Sequence, residues 1–171
     1  MAGLRVLAVP LAFLLAQRLP LLPTPAPTPP VWETLSEPAP DVSFPTLSGG
    51  RFALRTLRGK VAVLDFWTSW CEPCVAEVPA LQDFHDWARA RGDVVLLSVN
   101  DDSRSADLAR FLRDHRPRFP VVLLDPDNAL KVQAYPTKLI VDREGVLRLR
   151  VRGGPVPLDE LRRRALAVAG R

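Results

Sequence analysis

The sequence predicts an α/β domain with a central sheet of mixed strand direction flanked by helices. Three observations carry this. Apolar runs at residues 61–67, 94–99 and 121–124 alternate with helix-patterned segments, as strands covered on both faces do. A fourth run, residues 138–141, is followed by a turn at 142–145 and an alternating stretch at 146–152, which adds a hairpin. The only two cysteines, in Cys71-Glu72-Pro73-Cys74, fall where the first run gives way to a helix.

Taken in order, residues 1–19 read as a targeting segment. Arg5 supplies the positive start and residues 6–16 an apolar stretch, short for a membrane span and suited to a signal peptide. Leu14-Leu15-Ala16 is a poor cleavage site, so a cleaved signal and a retained anchor both stand. Residues 20–30 hold six prolines in eleven positions, which predicts an extended polyproline spacer. Globular patterning begins near Val31. The division expected is a signal peptide or anchor at 1–19, a Pro-rich linker at 20–38 and one folded domain at 39–171.

Within the domain, residues 44–47 and 51–54 flank Ser48-Gly49-Gly50, an N-terminal hairpin signal. A helix is expected from about Cys74 to Ala90, kinked at Pro79. A second has helical spacing over residues 103–115, with Ser103 as a candidate N-cap. In residues 146–152, Leu147, Leu149 and Val151 alternate with Arg148, Arg150 and Arg152, which predicts a strand with one wet face. The last helix runs from Pro157-Leu158 to about Ala169.

Composition narrows the function. The chain has 171 residues, 47% hydrophobic and 25% charged, enough for one domain. Beyond residue 22 it carries 21 basic against 19 acidic side chains, scattered apart from Arg162-Arg163-Arg164, which speaks against nucleic-acid binding. Two cysteines are too few for a disulfide-built fold and lack the ligand partners of a structural zinc site. No metal or cofactor is expected. His85 and His115 are expected at the surface. A lone Cys-x-x-Cys points to redox chemistry.

The placement of the pair assigns roles. Cys71 falls at a helix N-terminus, where free N–H groups and the helix dipole favour the thiolate. Cys71 is therefore the attacking thiol and Cys74, one turn further in, the resolving thiol. Pro73 stiffens the turn. Glu72 adds a negative charge that opposes thiolate formation and favours a reducing dithiol. Asp65 interrupts an apolar strand. It is either a buried carboxyl able to take the Cys74 proton or a strand-end group facing water. Glu77 shares a helix face with Cys74, Val78, Leu81 and Phe84, so it is either partly desolvated with a raised pKa or solvated. Tyr135-Pro136-Thr137 opens the fourth strand, and the residues alone leave its proline trans or cis.

The stretch from Phe66-Trp67-Thr68-Ser69-Trp70 through Cys71-Glu72-Pro73-Cys74 resembles the thioredoxin superfamily active site. Ala39-Pro40-Asp41, Leu57-Arg58-Gly59-Lys60, Glu77, Pro79, Phe119-Pro120-Val121, Pro136-Thr137 and Ile140-Val141-Asp142-Arg143-Glu144-Gly145 make the resemblance specific to the TlpA/ResA-like extracytoplasmic thiol-disulfide oxidoreductases. This resemblance implies a thioredoxin-like fold with an inserted helix and strand at about residues 101–124. It implies that Pro136 is a cis-proline facing Cys71, and that Glu77 is the active-site glutamate of the branch. Trp70, Glu72, Pro73, Tyr135 and Pro136 would border the substrate groove. Asp65 departs from the Asn common in the branch, Tyr135 is bulky, and Thr137 stands where a dedicated cytochrome-maturation subgroup has Glu.

The function expected is reduction of disulfides in exported proteins, for cytochrome c maturation or assembly of a respiratory-oxidase copper site. The location expected is the periplasm or the outer face of the cytoplasmic membrane. The expected partners are exported protein thiols and a membrane thiol carrier as electron donor, with membrane attachment through the N-terminal segment if it is retained. The protein would act as a monomer. The alternatives are a peroxiredoxin-like peroxidase, which needs Pro-x-x-x-Thr/Ser-x-x-Cys, and a Sco-type copper chaperone, which needs Cys-x-x-x-Cys and a distant His.

Overall fold

The computed structural model describes residues 29–170, apart from residues 103 and 128. The expected targeting segment and most of the Pro-rich stretch lie outside these. Among the described residues the main sheet has six strands in the order β1-β8-β7-β4-β5-β6. They are β1 (Val31–Pro38), β4 (Val61–Trp67), β5 (Val94–Asn100), β6 (Val121–Leu123), β7 (Thr137–Val141) and β8 (Val146–Arg152). β4, β5 and β6 are parallel, whereas β7 runs antiparallel to β4 and β8, and β1 antiparallel to β8. A separate hairpin joins β2 (Ser43–Pro45) to β3 (Arg51–Ala53). The helices are α1 (Glu72–Ala76), α2 (Val78–Arg91), α3 (Ser105–His115) and α4 (Leu158–Ala169).

The two-residue period of β4 divides the core. Val61, Val63 and Trp67 join a cluster with Val78, Leu81, Phe84 and Ala88 of α2 and Leu161, Ala165 and Val168 of α4. Ala62, Leu64 and Phe66 face the other way, toward Phe44 of the hairpin, Leu54, Leu130 and Val132. Every residue of β4 is buried, as expected for a central strand. Asp65 has the parity of Val63 and Trp67 and so lies on the helix-covered face.

Four expectations need correction. Residues 31–38, assigned to the linker, are an edge strand held by pairing from Val31↔Arg152 to Pro38↔Val146. The expected single helix is two, broken at Glu77 rather than bent at Pro79. Pro79 falls in the first turn of α2, where its missing N–H has no helical partner to lose. The strand 146–152 does not keep one wet face. A register shift between Ile140 and Val141 sends Leu147 into one cluster and Val151 into the other, as a bulge does. His85 is buried on α2, while His115 is exposed and its ring lies 4.5 Å from that of Phe111. The N-cap of α3 is Arg104; the expected cap, Ser103, lies outside the described residues.

Candidate active site

The site forms where β4 ends. After Trp67 the chain turns through Thr68, Ser69 and Trp70 and enters α1 at Cys71. The turn is fixed from β5. Ser69 N–H donates to Asp102 Oδ1 at 2.8 Å, and Asp102 is held by Asn100, whose Nδ2 donates to its Oδ2 at 3.0 Å. Trp67 Nε1 donates to Ser98 Oγ at 2.5 Å, which satisfies a buried indole.

Cys71 and Cys74 form a disulfide with their Cα atoms 5.2 Å apart. Cys71 is the N-cap residue of α1, and Cys74 N–H lies 3.3 Å from Cys71 Sγ, donating to it. That donor stabilises negative charge on this sulfur when the bond is reduced. The two residues are 6% and 4% exposed, so their asymmetry comes from position on the helix rather than from shielding. Glu72 and Pro73 are exposed beside them. Trp70 is 71% exposed and meets Tyr135 edge-on at 6.2 Å between ring centroids.

The Tyr135–Pro136 peptide bond is cis, the isomer that the resemblance implies. The Tyr135 hydroxyl donates a short hydrogen bond to Asp101 Oδ2. Burial raises the Tyr135 pKa, and the bond to Asp101 and the charge of that carboxylate add to the shift.

Beyond the thiols lies a trio of buried charges. Asp65 of β4 stands directly opposite Lys138 of β7 in the antiparallel register. Lys138 Nζ lies 3.0 Å from Asp65 Oδ1 and donates to Glu77 Oε2 at 2.8 Å. Glu77 Oε1 accepts the Val156 N–H at 2.8 Å, and Glu77 N–H donates to the Cys74 carbonyl at 3.2 Å. Asp65, Glu77 and Lys138 are 2%, 4% and 1% exposed, which settles both carboxylates as buried. Burial raises the Glu77 pKa most; Lys138 opposes the shift and the neighbouring Asp65 charge reinforces it. For Lys138, burial alone would lower the pKa, but the two carboxylates outweigh it and hold it above its ordinary value.

The structure thus brings Cys71, Cys74, Glu77 and Asp65 into one region of the fold, with Trp70 packed on Tyr135. Sequence reasoning missed Lys138, Asp101 and Asp102. Lys138 had a signal: a lysine that opens directly into the apolar run Leu139-Ile140-Val141 of one strand must find a counter-charge or leave the strand. The two aspartates had none, because their partners are a backbone amide and a phenol brought together only by the fold.

Comparison with known proteins places this geometry. The AhpC/TSA family model matches residues 35–150. The chain belongs to this family. It is 30% identical over 118 residues to the thiol-disulfide oxidoreductase ResA of Geobacillus kaustophilus, covering 67% of each chain. It is 32% identical over 115 residues to the thioredoxin-like protein YneN of Bacillus subtilis, covering 64% of this chain and 66% of that protein. The chain therefore spans about two thirds of the length of the curated relatives it matches. Among solved structures, one described as a thiol:disulfide interchange protein DsbE from Chlorobium tepidum superposes with a TM-score of 0.69 at 30% identity, covering 78% of this chain and 96% of that one. Within the AhpC/TSA family the chain is thus a TlpA/ResA-like thiol-disulfide oxidoreductase of thioredoxin fold.

Proposed function

We propose that the protein reduces disulfides of exported proteins outside the cytoplasm by dithiol–disulfide exchange at Cys71 and Cys74. The observation that carries this is the Cys71–Cys74 disulfide at the start of α1, with the Cys74 N–H on Cys71 Sγ and the Trp70–Tyr135 pair beside it. In the reduced protein the Cys71 thiolate attacks a substrate disulfide. One sulfur–sulfur bond breaks, a mixed disulfide forms and one substrate thiolate leaves. Cys74 loses its proton to the Asp65–Glu77 pair and attacks Cys71 Sγ. The second substrate thiolate leaves, and two electrons have passed from the dithiol to the substrate. A membrane thiol carrier returns the protein to the dithiol state.

The exposed Glu72 carboxylate beside Cys71 supports the reducing direction, because it disfavours the thiolate that stabilises a strong oxidant. The relatives support the setting. One solved neighbour, 27% identical with a TM-score of 0.62 and covering 74% of this chain and 96% of that one, is described as a secreted Mycobacterium tuberculosis disulfide oxidoreductase. Cytochrome c maturation and copper-site assembly are the two pathways this reading admits. Among the described residues no helix is long and apolar enough to cross a membrane, so attachment would fall to the segment before residue 29. The peroxidase alternative lacks its motif: Thr68 stands three residues before Cys71, but Leu64 occupies the proline position.

The test is the reduction potential of the Cys71/Cys74 couple together with insulin-disulfide reduction. The proposal expects a reducing couple and complete loss of insulin reduction in Cys71→Ser. A potential near about −120 mV, that of strong periplasmic oxidants, would overturn the reducing direction. Activity surviving in Cys71→Ser would overturn the mechanism.

A further inference from the structure

The buried trio holds one ammonium against two carboxylates. Its geometry is over-determined. The β4/β7 register places Asp65 and Lys138 opposite each other on the helix-covered face, and the break between α1 and α2 delivers Glu77 to the same ammonium. The two carboxylates are not held alike. Glu77 is fixed at both oxygens, by Lys138 and by the Val156 N–H. Asp65 Oδ1 touches Lys138 only as an ion pair and has no hydrogen-bond partner of proper angle. Asp65 is therefore the less tightly fixed of the two carboxylates. β8 sets Val151 opposite Lys138, so no charge reaches the ammonium from that side. Among the described residues no other charged side chain pairs with any of the three.

We propose that Lys138 is a positioning residue of the exchange reaction, keeping a buried carboxylate of the Asp65–Glu77 pair ionised at neutral pH so that it can accept the Cys74 proton during resolution. This rests on the reading that the pair handles that proton. Without Lys138, two like charges would share one dry site. The Glu77 pKa, already raised by burial and by the Asp65 charge, would then rise further, because the ammonium that lowers it is gone. The proton balance is simple. Cys74 Sγ–H gives its proton to the pair, the resulting thiolate forms the bond to Cys71 Sγ, and the departing substrate thiolate takes up a proton from the pair or from water. Lys138 itself gives and takes none. The direction of the Glu77 shift agrees: even with Lys138 in place, burial and Asp65 leave this carboxyl easier to protonate than a free one.

The experiment is a single-turnover measurement of mixed-disulfide resolution by the full chain against pH, using a small aromatic disulfide that reports on thiol release. In Lys138→Met the acid limb of the resolution rate should move to higher pH by about one unit or more, the scale on which a removed neighbouring charge acts. Attack by Cys71 on the same disulfide is read in the same trace, so loss of exchange chemistry altogether is seen separately from a shifted limb. An unshifted limb in folded Lys138→Met overturns the proposal. A second comparison does not depend on that variant folding. Asp65→Asn keeps Glu77 paired with Lys138, whereas Asp65→Asn/Lys138→Met leaves Glu77 as the one ionisable member of the trio, with a single buried carboxyl in place of two. The limb should lie about one unit higher in the double variant. Equal limbs overturn the proposal.

Discussion

Replacing Lys138 by Met should destabilise the protein in a way that depends on pH, and the size follows from the packing. Lys138 is 1% exposed between two carboxylates that are themselves 2% and 4% exposed. Methionine fills most of the volume but leaves the acids without a counter-charge. Breaking a buried ion pair from one side costs about 3–5 kcal/mol, against a total stability of about 5–15 kcal/mol. The variant should therefore fold, with a melting temperature lower by roughly 10–15 °C at neutral pH. The pH dependence has a definite sign. Glu77 already has a raised pKa, and losing the ammonium, which lowers it, raises it further. A raised carboxyl contributes stability that is fully present below the unfolded value, 4.5, and lost as pH rises through the folded value. The gap between wild type and variant should be small near pH 4 and widen toward neutrality. Wild-type Lys138, with its pKa raised, contributes stability that is present below its unfolded value, 10.5, and lost as pH rises through the folded value, so Lys138 itself adds no pH dependence over this range. The assay is guanidinium unfolding of the oxidised protein at a series of pH values. A loss below about 1 kcal/mol, or one constant with pH, would refute the claim that Lys138 is the counter-charge of the two buried carboxylates.

Three further outcomes follow from the same structure. Cys74→Ala should accumulate mixed disulfides between Cys71 and substrate proteins, which non-reducing gels and mass spectrometry would detect; a variant that turns over normally would remove Cys74 as resolver. Trp70→Ala should leave stability within about 0.5 kcal/mol, because the side chain is 71% exposed, while raising KM for a protein substrate roughly tenfold as a contact-surface aromatic. Asp142→Asn should cost about 1–3 kcal/mol at neutral pH, read by urea unfolding. Burial pushes the Asp142 carboxyl up, but the Val146 and Glu144 N–H groups and Arg148 outweigh it and lower its pKa. Its contribution is then present above the unfolded value, 3.8, and is lost as pH falls through the folded one, so the cost should vanish in strong acid.

What the sequence determined by itself is local. The apolar run of β4 and the extent of β8 were legible because strand patterning is written in adjacent residues. Cys71 and Cys74 were legible because a dithiol needs only a turn of helix between its members. Asp65 and Glu77 stood out as acids in apolar company, and both proved buried. The tertiary structure decided what those acids meet. Lys138 is 73 residues from Asp65 in the chain, and only the β4/β7 register makes them neighbours. The same holds for Val156 on Glu77 and for Asp101 on Tyr135. Residues 31–38 read as the end of a linker until β8 offered them an edge. His85 went inside because a histidine on the core side of a helix follows the packing of that helix, not its own polarity. Covalent and helical neighbours interact over a few residues, so their chemistry can be read along the chain. Charge balance in a buried site depends on distances across the sheet, and these exist only once the strands have paired.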